Sequence, residues 1–255
     1  MRIERKVGAT VAVLGSLLLA VSGTAPAFAH TGHSAGLRFG GLRLAGPAAA
    51  TSTGFGGWVF QPKAAKSVTA QYKVPKLKCG TAVSGVAPIA VFLTGTTSAP
   101  KANVAGLIMQ CSGGKAQMVA AVQVGAKQKL GTVPPVAGDL IQTTITSSTT
   151  KTTATVKDLT KGHTFTLTLS GKGAAPLQEL IIDDALVNPN TGAQLPVANF
   201  GTMTFTSAAV SGKAIGTVTP RTAVNMVKKN GVLQILAGPI TGTAKNMFTN
   251  TWKHS

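Results

Sequence analysis

The stretch QELIIDD, residues 178–184, gathers Glu179, Asp183 and Asp184, half of the six acidic residues in a chain of 255. Neighbouring carboxylates are raw material for hydrolysis. One can move a proton at a reacting atom while another group holds water or substrate. Read as a strand, the stretch puts Glu179, Ile181 and Asp183 on one face and Leu180, Ile182 and Asp184 on the other. Glu179 and Asp183 then stand roughly 13 Å apart along the backbone, at about 3.3 Å per residue, and their side chains can lean together. A carboxylate held in a concave sheet face among apolar neighbours has its pKa raised, which suits acid–base work. The plainer reading is a strand edge at Glu179 and a charged turn at Asp183-Asp184, with Asp184 structural.

Other chemistries have less behind them. A Ser/His/Asp arrangement has His163 and His254 to draw on, but no G-x-S-x-G elbow is present. SGGK at 112–115 is glycine-rich without the phosphate-loop pattern. Two carboxylates four apart also fit a sandwich glycosidase, whose retaining form needs carboxyls about 5–5.5 Å apart. Sugar clefts lean on aromatic platforms, however, and this chain has two Trp and one Tyr. His30 and His33 in HTGH lack further ligands, so neither a metal nor a cofactor is expected. Cys79 and Cys111, an even pair in an exported chain, read as a disulfide. Closing that loop stabilises the fold by roughly 3 kcal/mol on the chain-entropy model.

Export is read from the first 29 residues. A basic MRIERKV is followed by the apolar GATVAVLGSLLLAVSG and by APAFA, with Ala27 and Ala29 in an A-x-A pattern. The apolar stretch is too short and too glycine-interrupted to span a membrane, and no later segment reaches about 18 uninterrupted apolar residues. The expectation is cleavage after Ala29 and a secreted, membrane-free monomer. Residues 30–53, rich in Gly, Ala and Pro, read as a flexible leader, and residues 54–255 as one domain. The formal charge of +18 points to anionic partners. Lysines are scattered singly, as in QPKAAKSVTAQYKVPKLK, and Arg38, Arg43 and Arg221 are the arginines beyond the signal. Arginine is the usual reader of guanine edges. Specific nucleic-acid binding is therefore not expected, and acidic cell-wall polymers fit the charge better.

The elements that must position any site are strands. SVTAQYKV, LIQTTITSS, KTTATVKDL, HTFTLTLSG and TMTFTSAAV alternate apolar with Thr or other polar residues, each bounded by turn formers. Thr outward and apolar inward marks half-buried antiparallel strands. RTAVNMVKK is the one segment with a trace of helical period. The fold class expected is all-β, a two-sheet antiparallel β-sandwich of the jelly-roll, concanavalin-like type.

Four motifs in order, AGDLIQTTITSS, TTATVKDLTKGHTFTLTLSG, LQELIIDDALV and GAQLPVANFGTMTFTSAAV, resemble those of the secreted glutamic peptidases, the eqolisin family. The resemblance runs from about Phe55 to the C-terminus. It implies a β-sandwich with a concave substrate face, a polypeptide substrate, and hydrolysis by a glutamate acting as base on water beside a glutamine that stabilises the oxyanion. Matched residue by residue, Asp183 takes the glutamate position and Gln110, in GLIMQCSGG, takes the glutamine position. Glu179 is the substitute base on the same face as Asp183.

The chain also departs from that pattern. The base is one methylene shorter than glutamate, and a misplacement of about 1 Å costs about 100-fold. KAQMVAAVQVGA stands where the family has an aromatic-rich strand, FGGW stands for W-GG, and VFLTGT replaces WVGIDG. Two functions follow as expectations. One is a secreted, weakened endopeptidase using a Gln/acid dyad. The other is a non-catalytic secreted sandwich whose basic surface engages acidic cell-wall polymers.

Overall fold

The computed structural model describes residues 10–12, 36–38, 50–62, 65–80, 89–94, 103–125, 127–170, 178–184 and 196–253, of which 10–12, 36–38, 90–94 and 178–184 are described by backbone course alone. Most of residues 1–53, the stretch read as export signal and leader, lies outside the described residues, HTGH included. The strands are β1 (Thr10–Ala12), β2 (Gly36–Arg38), β3 (Ala50–Ser52), β4 (Phe55–Phe60), β5 (Ser67–Lys73), β6 (Ile89–Thr94), β7 (Asn103–Ser112), β8 (Lys115–Val124), β9 (Lys127–Leu130), β10 (Leu140–Ser147), β11 (Lys151–Asp158), β12 (Thr164–Ser170), β13 (Gln178–Asp184), β14 (Thr202–Val210), β15 (Lys213–Ala214), β16 (Arg221–Val227), β17 (Leu233–Ala237) and β18 (Phe248–Trp252). β1 and β2 pair with each other. β3, inside the stretch read as leader, pairs in parallel with β16.

The chain is an all-β sandwich. One continuous ladder runs β12-β11-β10-β5-β14-β18-β17-β16-β4-β13-β6-β7-β8-β9 and folds back on itself. A first layer, β12-β11-β10-β5-β14-β18, lies across a second, β4-β13-β6-β7-β8-β9. β8 packs over β11 and β12, and β7 over β10 and β11. β16 and β17 join the layers along one side.

The period-two segments form strands as expected. In β5 the buried Val68, Ala70 and Tyr72 alternate with half-buried Ser67, Thr69 and Gln71. Between the layers lie Phe60, Tyr72, Phe205 and Phe248, all fully buried. The Phe205 and Phe248 rings stack with centroids 4.5 Å apart, and the edge of Tyr72 meets Phe205 at 5.5 Å. Each buried aromatic contributes about 1.5–3 kcal/mol of transfer free energy.

RTAVNMVKK is a correction. Arg221–Val227 is strand β16, not a helical turn. It is pinned by β4 on one side and β17 on the other, with Val224 and Met226 buried. Cross-strand pairing overrides a weak local period of this kind.

Candidate active site

Gln110 is placed by a hairpin. Gly113 and Gly114 have φ of 56° and 75°, a pair of left-handed residues that only a tight primed turn between β7 and β8 requires. The two-residue turn fixes the register, so Ser112 faces Lys115 and Gln110 faces Gln117. The half-buried Gln110 donates from Nε2 to Oε1 of Gln117 at 2.8 Å. A primary amide has two N–H groups and a carbonyl, so this bond orients Gln110 and leaves it a second donor. The next residue, Cys111, turns into the core and forms the expected disulfide with Cys79, the Cα atoms 5.4 Å apart. That bridge ties the far end of β7 to the segment following β5, in the opposite layer.

β13 lies two strands from β7 in the same sheet, with β6 between them. Asp183 pairs with Gly56 of β4 and Ile89 of β6, and Ile89 pairs with Leu107 of β7. Register partners share a face. The Asp183 row is therefore that of Ile89 and Leu107, both part of the buried core. Glu179 is in register with Phe60 and Leu93, on the same parity. Gln110 is three positions beyond Leu107, so it belongs to the outer face. Asp184, in register with Phe55, holds a backbone position of that outer face. Two strand spacings of about 4.8 Å and two residues of about 3.3 Å put the Gln110 and Asp184 Cα atoms about 12 Å apart; the same count gives about 14 Å for Asp183.

The outer face also has a line of small residues. Gly57, Ala90, Gly106 and Ala121 fall in one row across β4, β6, β7 and β8, with Ile182 of β13 among them. Gly57, Gly106 and Ala121 are buried, and the row lies one residue pair from the row of Asp184 and Ile108. The rows on either side include Phe55, Val59, Val104 and Ile108, all buried although they face away from the inter-layer core.

Trp58, Asp139 and Asp158 also have structural partners. Trp58 packs against the core and donates from Nε1 to the Gly238 carbonyl at 3.0 Å. Asp139 and Asp158 cap turns at the ends of β10 and β11. Asp139 Oδ2 accepts from Val136 N–H and from Lys161 Nζ, both at 2.8 Å. Asp158 Oδ1 accepts from the N–H groups of Thr160 and Lys161 at 2.9 Å. Burial alone raises the Asp139 pKa. Hydrogen bonds from Lys161 and Val136, the Lys161 charge and a hydrogen bond with Asp158 outweigh it, so the carboxyl is held below its ordinary value. His163 lines a nearby cavity of about 180 Å³ together with Asp158, Val133 and Phe165. Among the described residues no group of three His, Cys, Asp or Glu could hold a metal ion, and no helix is long and apolar enough to cross a membrane.

The model of the Peptidase A4 family matches residues 53–243, well over half of the chain. The chain belongs to the Peptidase A4 family. Solved structures of the eqolisin fold overlay it over most of its length. Scytalido-glutamic peptidase bound to a transition-state-analogue inhibitor gives a TM-score of 0.62 at 17% identity, over 79% of this chain and 98% of that one. SCP-B, an eqolisin in complex with the tripeptide Ala-Ile-His, gives 0.62 at 19% identity over the same shares. Aspergilloglutamic peptidase from Aspergillus niger gives 0.52 at 22% identity, over 66% of this chain and 99% of that one. No curated protein matches in sequence.

Within this Peptidase A4 chain, sequence reading overlooked Gln117 and the Gly/Ala row. Gln117 had a signal. Residues equidistant from the Gly113-Gly114 turn must pair, and 110 and 117 are equidistant. The row had none, because it depends on register across five strands, with β13 inserted between β4 and β6.

Proposed function

We propose that the chain is a secreted endopeptidase of the Peptidase A4 type, hydrolysing peptide bonds with a water held between Gln110 and an aspartate at the end of β13. The observation that supports it is the register. One sheet carries Gln110, oriented by Gln117, two strands from Asp183-Asp184, beside a row in which Gly57, Ala90, Gly106 and Ala121 flank Ile182. The second N–H of Gln110 donates to the oxygen that becomes negative, and such a donor acts more strongly in a site lined by buried Phe55, Val59, Val104 and Ile108 than in water. The carboxylate takes the proton of the water as it adds to the carbonyl carbon, and returns a proton to the leaving amine.

Motif matching gives the base to Asp183, with Glu179 as its substitute. Backbone register gives the face of Gln110 to Asp184. Digestion of a denatured protein from acidic to neutral pH separates these, using the mature chain beside Gln110→Ala, Asp183→Asn, Asp184→Asn and Glu179→Gln. Cleavage lost in Gln110→Ala and in one acid variant identifies the dyad. The same residual rate in every variant, or none in the unaltered chain, removes the peptidase reading.

A second reading, a non-catalytic secreted sandwich whose basic surface engages acidic polymers, is favoured by the aspartate at the glutamate position and by the aromatic-poor β8.

A further inference from the structure

We infer that the outer face of the first layer is a binding surface for an anionic polysaccharide. This deepens the binding reading above and does not rest on peptide cleavage.

The face is a grid of hydroxyls. Thr166, Thr155, Thr144 and Thr69 are successive register partners on β12, β11, β10 and β5. Thr168, Thr153, Thr146 and Ser67 form the next row. Neighbouring rows are about 6.6 Å apart along the strands and neighbouring strands about 4.8 Å apart. The hydroxyls tie to one another across strands: Thr155 to Thr166 and Thr153 to Thr168 at 3.2 Å, and Thr69 to Thr144 at 2.9 Å. Six of the eight are therefore held in place. The Thr155–Thr166 and Thr153–Thr168 pairs each have one hydroxyl hydrogen left for an outside partner, whereas Thr69 donates to the Thr143 carbonyl and Thr144 to Thr69, which leaves that pair only acceptor positions. All eight are exposed or half-buried.

Lysines and amides edge the grid. Lys157, Gln142 and Gln71 make a third row, with Lys151 and Lys73 at strand ends, and all three lysines are exposed. Among the described residues no carboxylate answers them. The acidic residues of the whole chain are Glu4, Asp139, Asp158 and the three of β13. Asp139 and Asp158 are buried, and β13 belongs to the other layer. An ordinary surface mixes both signs; this one is hydroxylated and, among the described residues, of one sign. β-Propensity explains why β-branched residues occupy these strands, but not why opposite charge is missing. The complementary partner repeats, carries hydroxyls and bears acid groups, as in a uronate- or phosphate-bearing polysaccharide. Single lysine contacts at a surface are weak and salt-screened, so attachment rests on many contacts at once.

The test uses the mature chain and polygalacturonate, with neutral dextran as control. The chain should bind polygalacturonate and not dextran, and release it as salt rises. Lys73→Gln/Lys151→Gln/Lys157→Gln should weaken binding by about tenfold or more. An equal charge change on β8, β9 and the β16–β17 turn, Lys115→Gln/Lys127→Gln/Lys229→Gln, should weaken it far less. Equal loss in both triple variants makes net charge the cause and overturns the proposal. So does tighter capture of single-stranded DNA than of polygalacturonate through the same lysines. Thr144→Val/Thr155→Val, which keeps charge and shape, should reduce affinity for polygalacturonate; an unchanged affinity overturns the role of the hydroxyl grid. The digestion assay of the preceding subsection reads none of these outcomes, so the two readings can fail separately.

Discussion

β10 and β7 run through the interiors of opposite layers, yet their burial patterns differ. β10 alternates, with Ile141, Thr143 and Ile145 inside and Gln142 and Thr144 half-open. β7 does not: Val104 through Met109 are all buried. Leu107 and Met109 face the inter-layer core, while Val104 and Ile108 face outward and are still only 4% and 5% exposed. A strand with one solvated face alternates; a strand covered on both faces does not. The first layer thus ends in a wet hydroxyl grid, and the second in a covered apolar face holding the Gln110–Gln117 amide pair. Electrostatic interactions are stronger in the second setting because water screens them less. The two faces therefore suit different work, many weak contacts on one and a few oriented groups on the other.

The largest effect expected from breaking this contrast is on chemistry. Gln110→Ala should lower the rate of peptide cleavage by about 100- to 1000-fold, the usual loss when an oxyanion donor is removed. Thr144→Ala, at the centre of the other face, should leave the rate unchanged. Steady-state cleavage of one peptide by both variants checks this, and equal rates would show that the covered face is merely structural.

Stability should follow the same division. Ile108→Ala, on the outward side of β7, should lower unfolding free energy by about 2–4 kcal/mol, as a core substitution does. Leu107→Ala, on the inward side, should fall in the same range. In β10 the two sides should part: Ile145→Ala is costly and Thr144→Ala is not. Denaturant melts of the four variants decide it. An Ile108→Ala loss under about 0.5 kcal/mol would place Ile108 with surface substitutions.

At the end of the hydroxyl-faced layer, Asp139 gives a pH-dependent effect. Its folded pKa is lowered, so its stabilising contribution is present above the unfolded carboxylate value and disappears as pH falls through the lowered folded value. Asp139→Asn should cost about 1–3 kcal/mol at neutral pH, since Val136 N–H and Lys161 Nζ lose a charged acceptor. The gap between variant and unaltered chain should close in acid. A gap independent of pH would mean that shape, not charge, is what Asp139 supplies.

The same contrast explains how much was legible in the residues. β5, β10, β11, β12 and β14 were readable because outward Thr and inward Val, Ile, Phe or Leu alternate. The apolar run NVAGLIM in β7 has no such mark, since burial on both faces erases the period. β16 was ambiguous because RTAVNMV is short and its strand state depends on β4 and β17. The Asp158 cap was available in DLTKG, a local turn signal, whereas the Asp139–Lys161 pair joins loops distant in sequence. For β13, the strand and its alternation were legible. Which of its acids shares the face of Gln110 was not, because that is decided through β6 by pairings between residues far apart in the chain.

The smallest expected effect is the sharpest check on the hydroxyl face. Thr144→Val exchanges a hydroxyl for a methyl at equal shape and keeps β-branching. Thr144 gives up its 2.9 Å bond to Thr69, yet Thr69 retains the Thr143 carbonyl at 3.0 Å. No buried donor is orphaned, because both positions are half-open to water. The expected change in unfolding free energy is therefore within about 0.5 kcal/mol of zero. A loss of about 2 kcal/mol would mean that the cross-strand hydroxyl bonds hold the sheet together, the size expected when a buried polar partner is left unsatisfied. The threonines of the first layer would then be part of its framework, as Ile108 is of the second.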